Sequence, residues 1–144
     1  MYEIEPYVSV GPLSFGLSQR EVKSLLGEPV RTSVNRRGET DFQYPDTNVR
    51  FSSANLTLVE VGISPSTPTT IKGVNLFDDP DALNKLVALD RTASEYYGFI
   101  VLFHLGITMT GFHDGDDSQR AVTAFIRGRW DHLRESMQPF SLVR

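Results

Sequence analysis

Residues 17–29, LSQREVKSLLGEP, carry the signals for both ends of one short helix. Ser18 is a favourable N-cap, and Glu21 stands three residues later, where its carboxylate can complete a capping box. Gly27 can adopt the left-handed conformation that ends a helix, and Pro29 prevents its continuation. The apolar positions at helical spacing are Val22, Leu25 and Leu26. The stretch therefore predicts a short helix that packs one face on a core.

Short alternating segments separated by turn residues follow this helix. They are Val30–Val34, Thr40–Tyr44, Asn48–Ser52 and Leu56–Ile63. Their close spacing is typical of an antiparallel meander. In the third segment Val49 and Phe51 share one face, and Arg50 lies on the other. A helix followed by such strands predicts an α+β domain.

The second half of the chain shows the same order of helix and then strands. Asp79 as N-cap and Pro80 as first helical residue predict a helix that ends near Asp90. Its apolar stripe is Leu83, Leu86 and Val87. The segment Phe99–His104 is apolar on both faces and predicts a central strand, whereas Ile107–Phe112 alternates and predicts a strand with one face in solvent. The shared order suggests a duplication, although no residue-level repeat supports it.

The last predicted element is an amphipathic helix that begins at Asp117 or Ser118, with Gly128 as its weak point. Its inner face is predicted to carry Val122, Phe125, Ile126, Trp130, Leu133 and Met137. The expected fold is thus α+β, with short capped helices packed on an antiparallel β-meander and an amphipathic helix at the C-terminus.

The length of 144 residues predicts a single α+β domain over 1–144. Residues 64–70, SPSTPTT, form the one break in composition. They are expected to be an ordered, extended connection, and the alternative is a two-part organisation in which they join 1–63 to 71–144.

The composition narrows the class of function. The net charge of −4 argues against nucleic-acid binding and is compatible with a basic protein partner, although solubility alone also explains it. The chain has no cysteine, no apolar stretch long enough to span a membrane and no secretory signal at its N-terminus. We therefore expect a cytoplasmic protein that binds neither nucleic acid nor a membrane.

No catalytic motif is visible. The histidines, His104, His113 and His132, lack the spacing of a metal-ligand pair, and no nucleophile elbow, phosphate loop or dinucleotide fingerprint occurs. We expect His104 to be a hydrogen-bonded core or edge residue and His132 to be exposed. The sequence therefore predicts no enzyme, no metal and no cofactor.

Two acidic clusters allow a double interpretation. The first is Asp114, Asp116 and Asp117, and the second is Asp78, Asp79 and Asp81. Carboxylates are favourable at helix N-termini, which explains both clusters structurally. If the fold brings the clusters together, they form an acidic surface suited to a basic partner. These six aspartates are the candidate partner-binding residues.

A small basic spot is the other charged feature. It consists of Arg31, Arg36, Arg37 and Arg50. With Tyr44 and Phe51 on the same sheet it would be the start of a nucleic-acid platform. Because few cations accompany these aromatic residues, core packing explains them better.

Two resemblances point to protein binding. Residues 16–29 resemble the helix motif of small outer-membrane assembly lipoproteins and of β-lactamase-inhibitor-like domains. That resemblance implies an antiparallel sheet whose face or edge binds a protein, although this chain has no lipid-acceptor cysteine. Residues 99–106, 111–112 and 124–131 resemble small bacterial immunity proteins in their layout. This second resemblance implies a cytoplasmic inhibitor that covers the active site of a toxin.

The main hypothesis is a non-enzymatic immunity protein that neutralises a toxin by occluding a basic active site with the acidic clusters. Tyr96, Tyr97 and Trp130 are candidate aromatic anchors if they are exposed, but Trp130 on the apolar stripe is better explained as core.

Two alternatives stay open. The first is an inhibitor-like or scaffolding module that binds through the sheet face, where the arginines of the basic spot matter more than the aspartates. The second is a small ligand-binding domain or enzyme built around His113 and the neighbouring carboxylates.

Overall fold

The structure is a computed structural model that describes residues 2–112 and 120–140. It contains mostly antiparallel strands and few helices, so the α+β class is confirmed in its broad form. The strands are β1 (Tyr2–Glu5), β2 (Ser9–Val10), β3 (Leu13–Ser14), β4 (Arg31–Val34), β5 (Thr40–Gln43), β6 (Thr47–Phe51), β7 (Leu58–Ile63), β8 (Thr69–Ile71), β9 (Val74–Asn75), β10 (Ser94–Tyr96), β11 (Phe99–Leu102), β12 (Ile107–Thr110), β13 (Ala121–Phe125) and β14 (Gln138–Pro139). The helices are α1 (Gln19–Leu26), α2 (Ala82–Asp90) and a 3₁₀ helix at Asp131–Ser136.

Nine strands form a large antiparallel sheet in the order β14-β10-β11-β12-β13-β7-β6-β5-β4. The strands β4 to β7 pair in chain order, and so do β10 to β13. The last strands of the two sets, β7 and β13, pair with each other at the centre. The sheet therefore consists of two four-stranded halves that meet at the β7–β13 pair, and of β14, which pairs with β10 at one edge.

The other five strands form a small sheet in the order β3-β2-β1-β8-β9. The pairing of β1 with β8 is parallel, and the other pairs are antiparallel. None of this sheet was predicted from the sequence, because its strands have only two to four residues and carry little periodicity. It ties the N-terminal residues to the chain that follows the 64–70 segment.

The side chains of the large sheet alternate between two different environments. On β6, Val49 and Phe51 are fully buried in the main core, as predicted, and Arg50 lies on the opposite face. Most core side chains of the neighbouring central strands follow the same alternation: Val61, Ile63, Val122, Ala124, Ile107, Met109, Ile100 and Leu102. Leu58 also reaches this core, because the register shifts where β7 pairs with Arg50 and Phe51. Val22 of α1 and Leu86 of α2 belong to this core, so the helices cover this inner face. The opposite face, called here the outer face, carries the polar groups described below.

The predicted capping box at the start of α1 is confirmed. The Glu21 backbone N–H donates to Ser18 Oγ (3.1 Å), and the Ser18 N–H donates to Glu21 Oε1 (3.0 Å). Gly27 ends the helix, as predicted, but with a φ of 84° and a ψ of −170° it does not adopt the predicted left-handed helical conformation. The buried stripe of α1 is narrower than predicted, because Val22 is buried whereas Leu25 is 50% exposed.

The predicted start of α2 was wrong by two residues. The N-cap is Asp81 and makes no side-chain capping bond, and the helix begins at Ala82. Asp79 instead accepts a hydrogen bond from the Asp81 N–H, which forms a turn before the helix. The predicted end at Asp90 is confirmed.

The predicted C-terminal helix is contradicted by β13 and the turn that follows it. Residues Ala121–Phe125 form a strand paired with both β12 and β7, which satisfies its backbone on two sides. Val122 and Phe125 favour a strand, and the period-two alternation buries Val122 in the main core. Gly128 then takes a φ of 84°, which reverses the chain before the 3₁₀ helix. Tertiary pairing therefore overrides a stripe that also fits helical spacing.

The strand predicted to face solvent on one side was also assigned wrongly. All three residues Ile107, Thr108 and Met109 of β12 are buried, with Thr108 only 2% exposed. The outer face at this position is covered by the residues that follow β13. The predicted central strand after residue 98 is confirmed as β11, in which Ile100, Val101 and Leu102 are all fully buried.

Candidate functional site

Three of the six candidate aspartates fall outside the residues that the structure describes. Asp114, Asp116 and Asp117 lie within 113–119, together with His113. The partner-binding role of these aspartates, and the alternative role of His113, therefore stay predictions.

The other three aspartates, Asp78, Asp79 and Asp81, precede α2. Asp78 and Asp81 are exposed. The Asp79 carboxylate accepts from Lys85 Nζ and from the Asp81 N–H, and these two bonds, the Lys85 one first, lower the pKa of Asp79. Asp79 is thus engaged in the turn before α2, and the other two carboxylates remain at the surface. None of the three lines the central cavity described below.

The four arginines of the predicted basic spot do not form one surface. Arg31 is exposed on the edge strand β4, and Arg36 and Arg37 are exposed in the turn between β4 and β5. Arg50 instead lies on the outer face of the large sheet, where its charge is neutralised by carboxylates.

A charged network occupies the outer face beside the β6–β7 pair; we define it as Glu39, Asp41, Arg50, Glu60 and Arg129. Arg50 donates from Nε and Nη2 to the two oxygens of Asp41 (2.8 and 3.1 Å) and from Nη1 to Glu60 (3.2 Å). Arg129 donates from Nε to the other oxygen of Glu60 (2.8 Å) and from both Nη atoms to Glu39 (2.7 and 3.0 Å). Glu60 therefore bridges the two guanidinium groups.

The ion pairs of the network favour the charged forms of Glu39, Arg50 and Arg129. The hydrogen bonds from Arg129 lower the pKa of Glu39 to about 2, against the opposing effect of burial. Burial acts to lower the pKa of Arg129, but its hydrogen bonds to Glu39 and Glu60 outweigh that effect and raise it. The hydrogen bonds to Asp41 likewise raise the pKa of Arg50. These three side chains therefore stay charged at neutral pH.

A central cavity of about 290 Å³ opens beside this network, across the β7–β13 junction. Its floor is formed by small or polar residues of the four central strands, namely Asn48, Gly62, Thr123 and Thr108. Its charged lining consists of Arg37, Arg50, Glu60 and Arg129, and its remaining walls are Phe99, Trp130, His132 and Leu133. Both halves of the large sheet thus contribute to one site.

Two polar atoms at this cavity lack a hydrogen-bond partner within residues 2–112 and 120–140. They are the indole Nε1 of Trp130, which is a donor, and Oδ1 of Asn48, which is an acceptor. Buried polar groups are normally paired, since an unsatisfied one costs about 1–3 kcal/mol. Both groups belong to residues that line the cavity, but the two atoms themselves are buried.

An aromatic patch borders the cavity at the β10–β11 turn; it comprises Tyr96, Tyr97, Phe99 and Trp130. The ring centroids are 4.6 Å apart for Tyr96 and Tyr97 and 5.8 Å apart for Phe99 and Trp130. Tyr97 is 87% exposed and has a φ of 45°, a conformation that is unusual for an aromatic residue. The structure thus holds a large aromatic side chain in solvent at a strained position.

Two of the three histidines, His104 and His132, lie in the described part of the chain. His104 is exposed rather than buried, and its backbone N–H donates to Thr92 Oγ1 (3.2 Å). His132 is exposed, as predicted, and it lines the central cavity. No group of three or more histidine, aspartate or glutamate side chains able to hold a metal ion occurs in the described part of the chain.

Sequence reasoning missed most of the charged network. The available signals were Glu60, a charged residue within the apolar strand Leu58–Ile63, and Arg50 opposite the buried Val49 and Phe51. Both indicate a polar outer face. Arg129 could not be found in this way, because the residue was assigned to a helix.

Comparison with protein-family models, curated proteins and solved structures found no match to this chain. Within the described ranges, no helix combines the length and apolar character that crossing a membrane requires. The functional argument therefore depends on the outer face itself.

Proposed function

We propose that this chain is a non-enzymatic protein-binding module whose binding surface is the aromatic patch together with the adjoining outer face. The observation that carries the proposal is Tyr97, a tyrosine that is 87% exposed at the tip of a hairpin with positive φ. Strain of this kind is kept where the surrounding structure imposes it, often at binding sites.

The chemistry of the patch suits a protein partner. Tyrosine and tryptophan are enriched among the residues that dominate protein–protein affinity, because they bury large areas with few rotatable bonds. Tyr97 and Phe99 remain accessible, whereas the edge contacts of Tyr96 with Tyr97 and Trp130 hold the rings in place. A preorganised aromatic surface loses little conformational entropy on binding.

The narrower form of the proposal is an immunity protein that acts in the cytoplasm and neutralises a toxin by covering its active site. Its support is the length of 144 residues, the net charge of −4 and the absence of cysteine. In this form the exposed Asp78 and Asp81 speed association with a basic partner, together with the aspartates at positions 114, 116 and 117 (Asp114, Asp116 and Asp117), while the aromatic patch supplies the contact that persists. The alternative of an inhibitor-like module that binds through the sheet face uses the same outer face.

The experiment replaces Tyr97 with a photo-crosslinking phenylalanine derivative, identifies the crosslinked protein and then purifies it. The affinity of that protein is measured for the wild type, for Tyr97→Asn and for Val34→Thr. Asparagine tolerates positive φ, so Tyr97→Asn is expected to keep the free energy of unfolding within about 0.5 kcal/mol of wild type. Val34 is 65% exposed on the edge strand β4 and serves as the matched control for an exposed apolar side chain.

The expected result is a loss of affinity of at least about tenfold for Tyr97→Asn, with Val34→Thr unchanged. Suppression of the partner's toxicity in cells by the wild type, and not by Tyr97→Asn, supports the immunity role. Equal affinities of wild type and Tyr97→Asn refute the proposed surface. A partner that binds but keeps full activity refutes the inhibitory role and leaves a scaffolding module.

A further inference from the structure

We propose that β4, the last strand at one edge of the large sheet, is a docking site for an extended segment of a protein partner in which β-branched and acidic residues alternate. The segment adds one strand to the sheet through backbone hydrogen bonds. In the strand order β4 stands at the opposite end from β10 and β11, which carry the aromatic patch. The docking site is therefore separate from the patch and its partner.

The edge at β4 differs from the other sheet edges of the described residues. The strands that end a sheet are β3, β9, β14 and β4. The first three have only two residues each, and β14 contains Pro139, which has no N–H to donate. Short edge strands and proline are common protections against the addition of a strand. β4 spans the four residues Arg31–Val34 and contains no proline, so it is the longest open edge.

The backbone of β4 leaves hydrogen-bonding groups free at its outer side. The Asn35 N–H donates to the Glu39 carbonyl (3.0 Å), so these two residues form a hydrogen-bonded pair of the antiparallel ladder. Such pairs alternate along a ladder, so Ser33 is again bonded to β5. Thr32 and Val34 occupy the alternate positions, and their N–H and C=O groups point away from β5. A further strand can bond to these groups at a spacing of two residues.

The exposed side chains of the edge define one face of the partner segment. Thr32 pairs with Phe42, whose ring is buried in the main core, so Thr32 and Val34 lie on the inner face of the sheet. Both are exposed, Val34 at 65%, and Val30 just before the strand is 76% exposed. A strand added here covers these side chains with its own inner-face residues. β-branched residues suit this position, because they pack well against their cross-strand neighbours.

The cations beside the edge define the other face of the segment. Arg31 pairs with Gln43 on the outer face, and Arg36 and Arg37 follow the strand in the turn. All three arginines are exposed, and none of them makes an ion pair within the residues that the structure describes. Carboxylates at alternate positions of an added strand lie on this outer face, where they can pair with Arg31.

The edge stays positive when the neighbouring charges are counted. The charged network carries a formal charge of −1, because its two guanidinium groups face three carboxylates. Lys23 and Glu28, which precede β4, lie 3.6 Å apart and cancel, and Asp46 in the turn after β5 adds one negative charge. Together with the three exposed arginines the total is +1, in a chain of net charge −4. Acidic residues on the partner are therefore favoured over basic ones.

The test titrates the ¹⁵N-labelled chain with two pentapeptides and follows its backbone amides by NMR. The acidic probe is acetyl-Glu-Val-Glu-Val-Glu-amide, and the probe of opposite charge is acetyl-Lys-Val-Lys-Val-Lys-amide. We expect the acidic probe to shift the Thr32 and Val34 amides saturably and to slow their hydrogen exchange, with a Kd on the order of 1 mM or tighter. The Ser33 amide, which is already bonded to β5, is the internal control. The lysine probe is expected to bind at least about fivefold more weakly.

Two variants at one position test the backbone contact. Thr32→Pro removes an outward N–H but no bond to β5, and is expected to abolish binding of the acidic probe. Thr32→Val keeps both the N–H and the β-branched side chain, and is expected to bind like the wild type. Arg31→Gln is expected to weaken binding about threefold, whereas Arg91→Gln, at an exposed position after α2, leaves it unchanged. Urea unfolding of the free variants verifies that each one is folded.

Each of the following results overturns the proposal. They are Thr32 and Val34 amides that the acidic probe leaves unchanged, equal affinities for the two probes, equal binding by the two Thr32 variants, and equal binding by the two arginine variants. Protection of the same amides that rises with the concentration of the chain alone also overturns it, because the occupant is then a second copy. None of these results bears on Tyr97, so the proposed protein-binding function stands or fails separately.

Discussion

The two halves of the large sheet bury the same kind of inner face but treat their outer faces differently. In the half β4 to β7, the outer face carries the charged network, with Arg50 between Asp41 and Glu60. In the half β10 to β13, it carries a second apolar cluster in which Val101, Phe103 and Phe125 are nearly fully buried. The outer face of the first half is therefore held by ion pairs, and the outer face of the second half is held by apolar packing.

The consecutive residues Arg129 and Trp130 connect the outer faces of these two halves. Arg129 reaches Glu39 and Glu60 in the charged half, and Trp130 packs near Phe99 and Phe125 in the apolar half. The turn after β13 thus closes over the junction, and the central cavity lies beneath it. Buried ion pairs contribute little net stability but are costly to break, whereas apolar clusters lose stability in proportion to the atoms removed.

The largest effect is expected when the charged half loses its covering cation. Arg129→Met leaves Glu39, which is only 6% exposed, without its guanidinium partner and is expected to lower the free energy of unfolding by about 3–5 kcal/mol. Arg127→Met is the matched control, because Arg127 is exposed, stacks on Tyr7 at 4.2 Å and takes no part in the network. Its loss is expected to stay below about 1 kcal/mol in urea unfolding. Similar losses of unfolding free energy for the two variants contradict the special role of the ion pairs in the charged half.

Acid is expected to destabilise the charged half through protonation of Glu39. The pKa of Glu39 is lowered to about 2 from its usual 4.5, so its contribution is fully present above about pH 4.5 and is lost as the pH falls toward 2. The contribution is expected to be about 2–3 kcal/mol. The free energy of unfolding is measured against pH for wild type and Glu39→Gln. The variant is less stable at neutral pH but is expected to lose less stability in acid. An equal dependence of the free energy of unfolding on pH in the two proteins contradicts this prediction.

A smaller effect is expected in the apolar half. The Tyr7 hydroxyl donates to the Phe103 carbonyl, and the ring meets Phe125 edge-on at 5.9 Å. Tyr7→Phe is expected to cost about 1 kcal/mol through the buried carbonyl left without its donor. Tyr44→Phe is the control, because the Tyr44 hydroxyl donates to the Gly27 carbonyl at an exposed position, where water replaces it. An equal cost at both sites contradicts the interpretation.

Local sequence signals determined the parts of this protein in which local and tertiary preferences agree. The capping box of Ser18 and Glu21, the end of α2 at Asp90 and the alternation around Arg50 all appear in the structure. Each of these depends on hydrogen bonds or side-chain periodicity within a few residues. The broad class of the fold and the position of Arg50 on the face opposite Val49 and Phe51 followed from such signals.

Tertiary structure alone decided the C-terminal part and the site. The stripe that includes Val122 and Phe125 fits both a helix and a strand, and pairing with β7 and β12 selected the strand. That choice placed Arg129 and Trp130 over the junction. Arg129 thereby contacts Glu60 and Glu39, which lie 69 and 90 residues before it in the sequence. A sequence encodes which residues can form ion pairs and which can pack, but the pairing of distant strands decides which of them meet.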